Sequence, residues 1–144
     1  LFWGIILKAL IALFIVMFAS TAYATTPEKW VTVAKGEYGQ TLVNSNHIKS
    51  VAGQPSVVEY GYKYIYKYGV PSLQLAPNAY IQAIHQINCK ERTKATIMSQ
   101  RFKPNGKAID NATPFSTVYF EPIYDSHIDL MKVYKYVCKA KNKI

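Results

Sequence analysis

Cysteine occurs only twice in these 144 residues, at Cys89 and Cys138. No C-x-x-C can be drawn, which argues against thiol chemistry. Acidic residues are scarce, 8 against 17 basic ones. The nearest thing to an acid–base pair, Asp125 and Asp129, fits the start of a helix better. Glycine is thin and dispersed, so Gly36, Gly39 and Gly61 form no phosphate loop. The three histidines, His47, His85 and His127, are scattered and read as structural or solvated. With no nucleophile, base or ligand set at a working spacing, the expectation is a non-enzymatic protein without cofactor. Disorder is excluded as well: half the residues are hydrophobic and only 17% are charged.

Long apolar runs are missing everywhere except at the N-terminus. There Lys8 precedes an unbroken apolar run from Ala9 to Ala19, followed by Ala22-Tyr23-Ala24. A basic residue, an apolar core and an A-x-A end are the parts of a secretory signal peptide, with cleavage expected after Ala24. The alternative is an uncleaved anchor. Leu1–Ala19 as a helix spans about 28 Å, enough for a bilayer core, although Lys8 then sits mid-span. The stretch has no Cys for a lipid anchor. Either way the expected division is 1–24 as signal or anchor and 25–144 as one domain, exported to the periplasm or cell surface, or anchored in the inner membrane.

An even cysteine pair in an exported chain reads as a disulfide. Closing the 49-position loop between Cys89 and Cys138 removes about 4 kcal/mol of unfolded-chain entropy in the simplest treatment. A metal site from His85, Cys89, His127 and Cys138 is the alternative. Its spacing is poor: on one strand, His85 and Cys89 stand about 13 Å apart.

The domain itself reads as strands followed by one helix. Trp30–Lys35 is a strand, joined by a Lys35-Gly36-Glu37 turn to a second short run, Tyr38–Val43, which Asn44-Ser45-Asn46 punctuates. Val57–Tyr68 has the clearest pattern. Val58, Tyr60, Tyr62, Tyr64, Tyr66 and Tyr68 share one parity; Glu59, Gly61, Lys63, Ile65 and Lys67 share the other. A strand of this length predicts a bend or bulge near Gly61. Its tyrosine row is either half-buried under a helix or displayed as a binding stripe. Gly69–Ala79 reads as a loop. Tyr80–Glu91 and Thr93–Phe102 are two more strands, Lys103–Gly106 a turn, and Phe115–Phe120 a last strand. From near His127 to Lys139 the period becomes helical, with a capping-box-like Ser126…Asp129 and an apolar face of Ile128, Met131, Tyr134 and Cys138.

The basic excess gathers at that helix. Lys132, Lys135, Lys139, Lys141 and Lys143 form its densest cluster, either a plain solvated face or a contact for anionic lipid, lipopolysaccharide or acidic glycan. Nucleic acid is a poor partner for an exported chain.

Several segments in order carry a resemblance: Trp30-Val31-Thr32-Val33, Asn44-Ser45-Asn46-His47-Ile48, Asn88-Cys89-Lys90-Glu91-Arg92, the Phe102…Gly106 turn, and Glu121-Pro122 leading to Tyr136-Val137-Cys138. Together they resemble the surface-adhesin protein E family of Gram-negative bacteria. The resemblance implies an α+β fold, an antiparallel sheet of about six strands packed by one C-terminal helix, with Cys89 bonded to Cys138. The family's host-ligand binding is attributed to a basic stretch before the first cysteine. Here no Lys or Arg lies between Lys67 and Lys90, so that property does not transfer by residue. The expectation is an adhesin-like envelope binding module for a protein or anionic surface partner. Its contacts are the exposed part of Tyr60, Tyr62, Tyr64, Tyr66 and Tyr68, the loop Gly69–Ala79, and Lys132, Lys135 and Lys139. The competing expectation is an accessory subunit of an envelope complex, tethered through residues 1–22.

Overall fold

The computed structural model describes residues 26–142. The expected signal or anchor at 1–24, and Lys143, lie outside them. The chain runs as an antiparallel meander of β1 (Trp30–Lys35), β2 (Gly39–Val51), β3 (Gln54–Tyr66), β4 (Tyr80–Asn88) and β5 (Thr93–Phe102). Two short pairings, β6 (Thr113–Pro114) and β7 (Glu121–Pro122), both line the outer edge of β5. A helix, α1 (Ile128–Lys141), then crosses one face of β1–β3. This is the expected α+β arrangement of an antiparallel sheet with one C-terminal helix.

The core lies between that helix and the sheet. Val43, Val58, Tyr60 and Ile87 point up from three strands, and Ile123, Val133 and Val137 close over them. Alternation within each strand delivers this: a period of two sends every second residue to the helix side. The Cys89–Cys138 disulfide, with Cα atoms 5.8 Å apart, fastens α1 just past the end of β4. Beside it the Tyr134 hydroxyl donates to the Cys89 carbonyl at 2.9 Å.

Four local expectations are corrected. First, Asn44-Ser45-Asn46 does not end β2. The Asn44 side-chain oxygen accepts from the N–H groups of Lys29 (3.0 Å) and Asn46 (3.1 Å), and the strand continues through a bulge between Asn44 and Ile48. The bulge expected in β3 thus sits in β2, opposite Gly61. Second, β4 stops at Asn88, not Glu91. The Asn88 side chain accepts from the N–H groups of Lys90 and Glu91, and Arg92 follows at φ +58°, a tight turn in place of extended chain.

Third, Phe115–Phe120 is not a strand. Strand pairing is confined to Thr113–Pro114 and Glu121–Pro122, each followed by one more bond, from Phe115 N–H to the Ile97 carbonyl and from Ile123 N–H to the Arg92 carbonyl. Phe115, Val118, Tyr119 and Phe120 are exposed as a result. Fourth, α1 starts without a side-chain cap at His127, so no capping box forms. Its buried stripe is Val133 and Val137, with Leu130, Met131, Tyr134 and Cys138 alongside. Ile128, expected on the apolar face, is 66% exposed because it precedes the point where the helix meets the sheet.

Candidate functional site

The ladder registers fix which side chains share a face, because directly paired residues project the same way. One row reads Ile48–Tyr60–His85–Thr96, the next Val43–Tyr62–Ala83–Ser99, the next Thr41–Tyr64–Ile81–Arg101. These face the helix side. The alternate rows read Trp30–Asn44–Gly61–Ile84–Met98, Leu42–Lys63–Gln82–Gln100 and Gln40–Ile65–Tyr80–Phe102. No helix covers this second set among the described residues.

The tyrosine row therefore belongs to the core side, and its exposure is graded. Tyr60 is fully buried, its ring edge-on to His85 at 5.6 Å and its hydroxyl 3.3 Å from His85 Nδ1. Tyr62 packs against the core and stacks on the same imidazole at 4.4 Å. Tyr64 and Tyr66 meet edge to face at 4.8 Å, half-buried, and Tyr68 lies beyond the strand, exposed. Burial pushes the Tyr60 phenol far above its ordinary pKa and Tyr62 up to about 12. Burial, helped by the neighbouring Lys94 charge, holds His85 down to about 3, so this imidazole is a neutral core group.

Lys132, Lys135 and Lys139 do share an exposed outer side of α1, at i, i+3 and i+7. They lie away from the tyrosine row, which the helix covers from its other side. Cys89 and Cys138 are joined to each other and are not metal ligands. Among the described residues no group of three or more His, Cys, Asp or Glu is placed to hold a metal. The Gly69–Ala79 loop contains one 3₁₀ turn at Pro71–Leu73 and anchors itself through buried Leu75 and Ala79.

The uncovered face holds what the sequence reading passed over. Trp30 opens β1, and its indole stands beside Gly61 with its Nε1–H donating to Glu28 at 2.9 Å. Gly61 forms the floor of a cleft. A Cβ there would come within 3.0 Å of the Asn44 Cβ, so a side chain would fill the space. Trp30, Asn44 and His47 wall one side, Ile84 and Met98 the other, and Gln82 and Gln100 the lip. Its volume is about 130 Å³. That is less than half of the ~300 Å³ at which enclosed ligand pockets begin, so an occupant lies across it, not within it.

At one end of the cleft Glu59 is gripped by His47 Nε2 at 3.2 Å, Lys49 at 3.3 Å and Gln86 at 3.2 Å. Burial acts to raise its pKa, but the hydrogen bonds from Gln86, His47 and Lys49 outweigh it and keep the carboxylate ionised. At the other end Lys63 lies with its ammonium 4.1 Å from the Trp30 ring centroid and 5.0 Å from that of Tyr80. Tyr80 in turn stacks on Phe102 at 5.0 Å. Burial lowers the Lys63 pKa, partly offset by Glu28. The signal for all this was the second parity of the run through β3, Glu59-Gly61-Lys63-Ile65 with Lys67 just beyond it, a row of mixed chemistry beside the conspicuous tyrosines.

The chain matches none of the protein-family models and none of the curated proteins with which it was compared.

Proposed function

We propose that this chain is a non-enzymatic binding module of the bacterial cell envelope, of the surface-adhesin protein E type, meeting a protein or anionic surface partner. The observation that carries the reading is the asymmetry of the sheet. One face is packed by α1 across β1–β3. The other leaves Trp30, Lys63, Tyr80 and Phe102 half-exposed around a shallow cleft. Half-exposed aromatics with a cation among them are the residue types that dominate binding energy at interfaces. The Cys89–Cys138 bond is consistent with an oxidising compartment such as the periplasm or cell surface.

Sedimentation with purified Gram-negative envelope fragments tests this. The native chain should co-sediment. Introducing charge into the uncovered face with Gln40→Glu and Gln82→Glu should weaken it at least about tenfold, the cost of an unpaired charge at a contact. Removing charge from the helix with Lys132→Gln, Lys135→Gln and Lys139→Gln should change it less than about twofold. A native chain that stays in solution defeats the envelope reading. Loss confined to the helix variant moves the contact surface to α1.

A further inference from the structure

Lys63 is an unusual cation. It is partly desolvated, clamped between the Trp30 and Tyr80 rings, and makes no ion pair among the described residues, its nearest carboxylate influence being Glu28. Two more lysines continue from it on the same side of the sheet. Lys35 and Lys67 line a second cleft of about 220 Å³ with Gln40 and Ile65, and they too form no ion pair among the described residues. Gly61, floor of the first cleft, and Ile65, wall of the second, are four strand residues apart, about 13 Å. The two clefts therefore make one track across the uncovered face, with Lys63 between them.

We propose that this track binds an acidic glycan, a linear saccharide whose rings carry carboxylates. Lys63 takes one carboxylate at the centre, and Lys35 and Lys67 take the next. Gln40 and Gln82 supply neutral donors and acceptors of the kind that sugar hydroxyls need. The length of the track admits more than one sugar ring, and the shallow clefts admit a chain lying along the surface. Charge complementarity is local here: along the track Glu28 holds the Trp30 indole and Glu59 is already met by Lys49 and His47, while Glu37 and Asp129 stand beside Gly36 at the turn that closes the second cleft. A single-stranded nucleic acid is also a polyanion, but it requires free aromatic platforms for its bases. Here the Trp30 and Tyr80 faces already hold Lys63, Phe102 already stacks on Tyr80 and Lys67 lies over Tyr68, so Tyr38 is the exposed ring left beside the second cleft.

This inference rests on the binding-module reading and names its ligand. Calorimetric titration of the full chain with oligogalacturonate, with its fully methyl-esterified counterpart and with oligo-deoxythymidine tests it. The acid should bind, and the ester, identical but for its charge, should bind at least about tenfold more weakly. Lys63→Gln should weaken the acid by at least about tenfold and shrink its advantage over the ester. Lys35→Gln with Lys67→Gln, at exposed side chains, should do the same in part, and serves if the first variant folds poorly. The Lys132, Lys135 and Lys139 variant should leave the acid within about twofold. Equal binding of acid and ester, no binding of either, equal loss in the helix variant, or tighter binding of oligo-deoxythymidine would each overturn the proposal. Envelope co-sedimentation through the uncovered face with no oligogalacturonate binding refutes the ligand class and leaves the binding module standing.

Discussion

The two faces of the sheet use tyrosine and lysine in opposite ways. On the helix side Tyr60 and Tyr62 are packing units: Tyr60 buried and edge-on to a neutral imidazole, Tyr62 partly buried and stacked on it, both with phenols that resist ionisation. On the uncovered side Tyr80 is half-exposed and holds the ammonium of Lys63. The residue type is the same, and the neighbour decides its role. A row that is repetitive in sequence turns out to be architecture, and a row of mixed chemistry turns out to carry the contact chemistry. Regularity suits a sheet face that must mate with one helix, because a repeated shape packs against a repeated shape.

Removing Tyr60 should separate the faces most sharply. Tyr60→Ala should cost about 3–5 kcal/mol in urea unfolding, as large aromatic deletions in a core do. Gln82→Ala, across the sheet, should stay within about 0.5 kcal/mol. Similar losses at both sites would show that the uncovered face is also core. Replacing Cys89 and Cys138 together with Ala should cost about 2–5 kcal/mol and loosen α1 from β4, read as faster hydrogen exchange in the helix. A helix that exchanges as before would mean that Val133 and Val137 hold it without the bond.

His85 gives the covered face a pH signature. Its folded pKa near 3 lies below the ordinary 6.5, so the unfolded chain takes up a proton that the folded chain refuses. Stability is fully present above about pH 6.5 and is lost as pH falls toward 3, at about 1.4 kcal/mol per unit. Between pH 6.5 and 4.5 the native chain should lose about 2–3 kcal/mol that His85→Gln does not. Parallel curves for the two chains would place a proton on His85 in the folded state. The smallest effect belongs to the outer side of the helix. Lys132→Gln, Lys135→Gln and Lys139→Gln should each shift stability by less than about 0.5 kcal/mol, checked by thermal unfolding.

Much of the architecture was legible because it depends on short-range rules. Period two in β3, the Lys103–Gly106 turn and the helical spacing after Ser126 each name an element from its neighbours along the chain. The errors fall where a side chain or a distant strand intervenes. Asn44 reads as a breaker until its carboxamide is seen binding Lys29 and Asn46, which lets β2 pass through. Phe115–Phe120 has strand composition, but strand pairing with β5 is confined to its two ends, at Thr113–Pro114 and Glu121–Pro122. The candidate site was half legible: Gly61 and Lys63 were assigned to one face, but nothing along the chain brings Trp30, Tyr80 and Gln82 beside them.

Local order along the chain settled the composition of each face, because alternation is a property of a single strand and needs no partner. It also settled that two cysteines in an otherwise thiol-free chain were available for each other. Which face would be sealed was decided only by the fold. The tyrosine row of β3 could be packed or displayed, and the choice followed from where Ile123, Val133, Val137 and Cys138 dock together. Once α1 took the tyrosine side, Lys63 was left on the solvent side between Trp30 and Tyr80, a grouping of three strands that no single stretch of sequence contains.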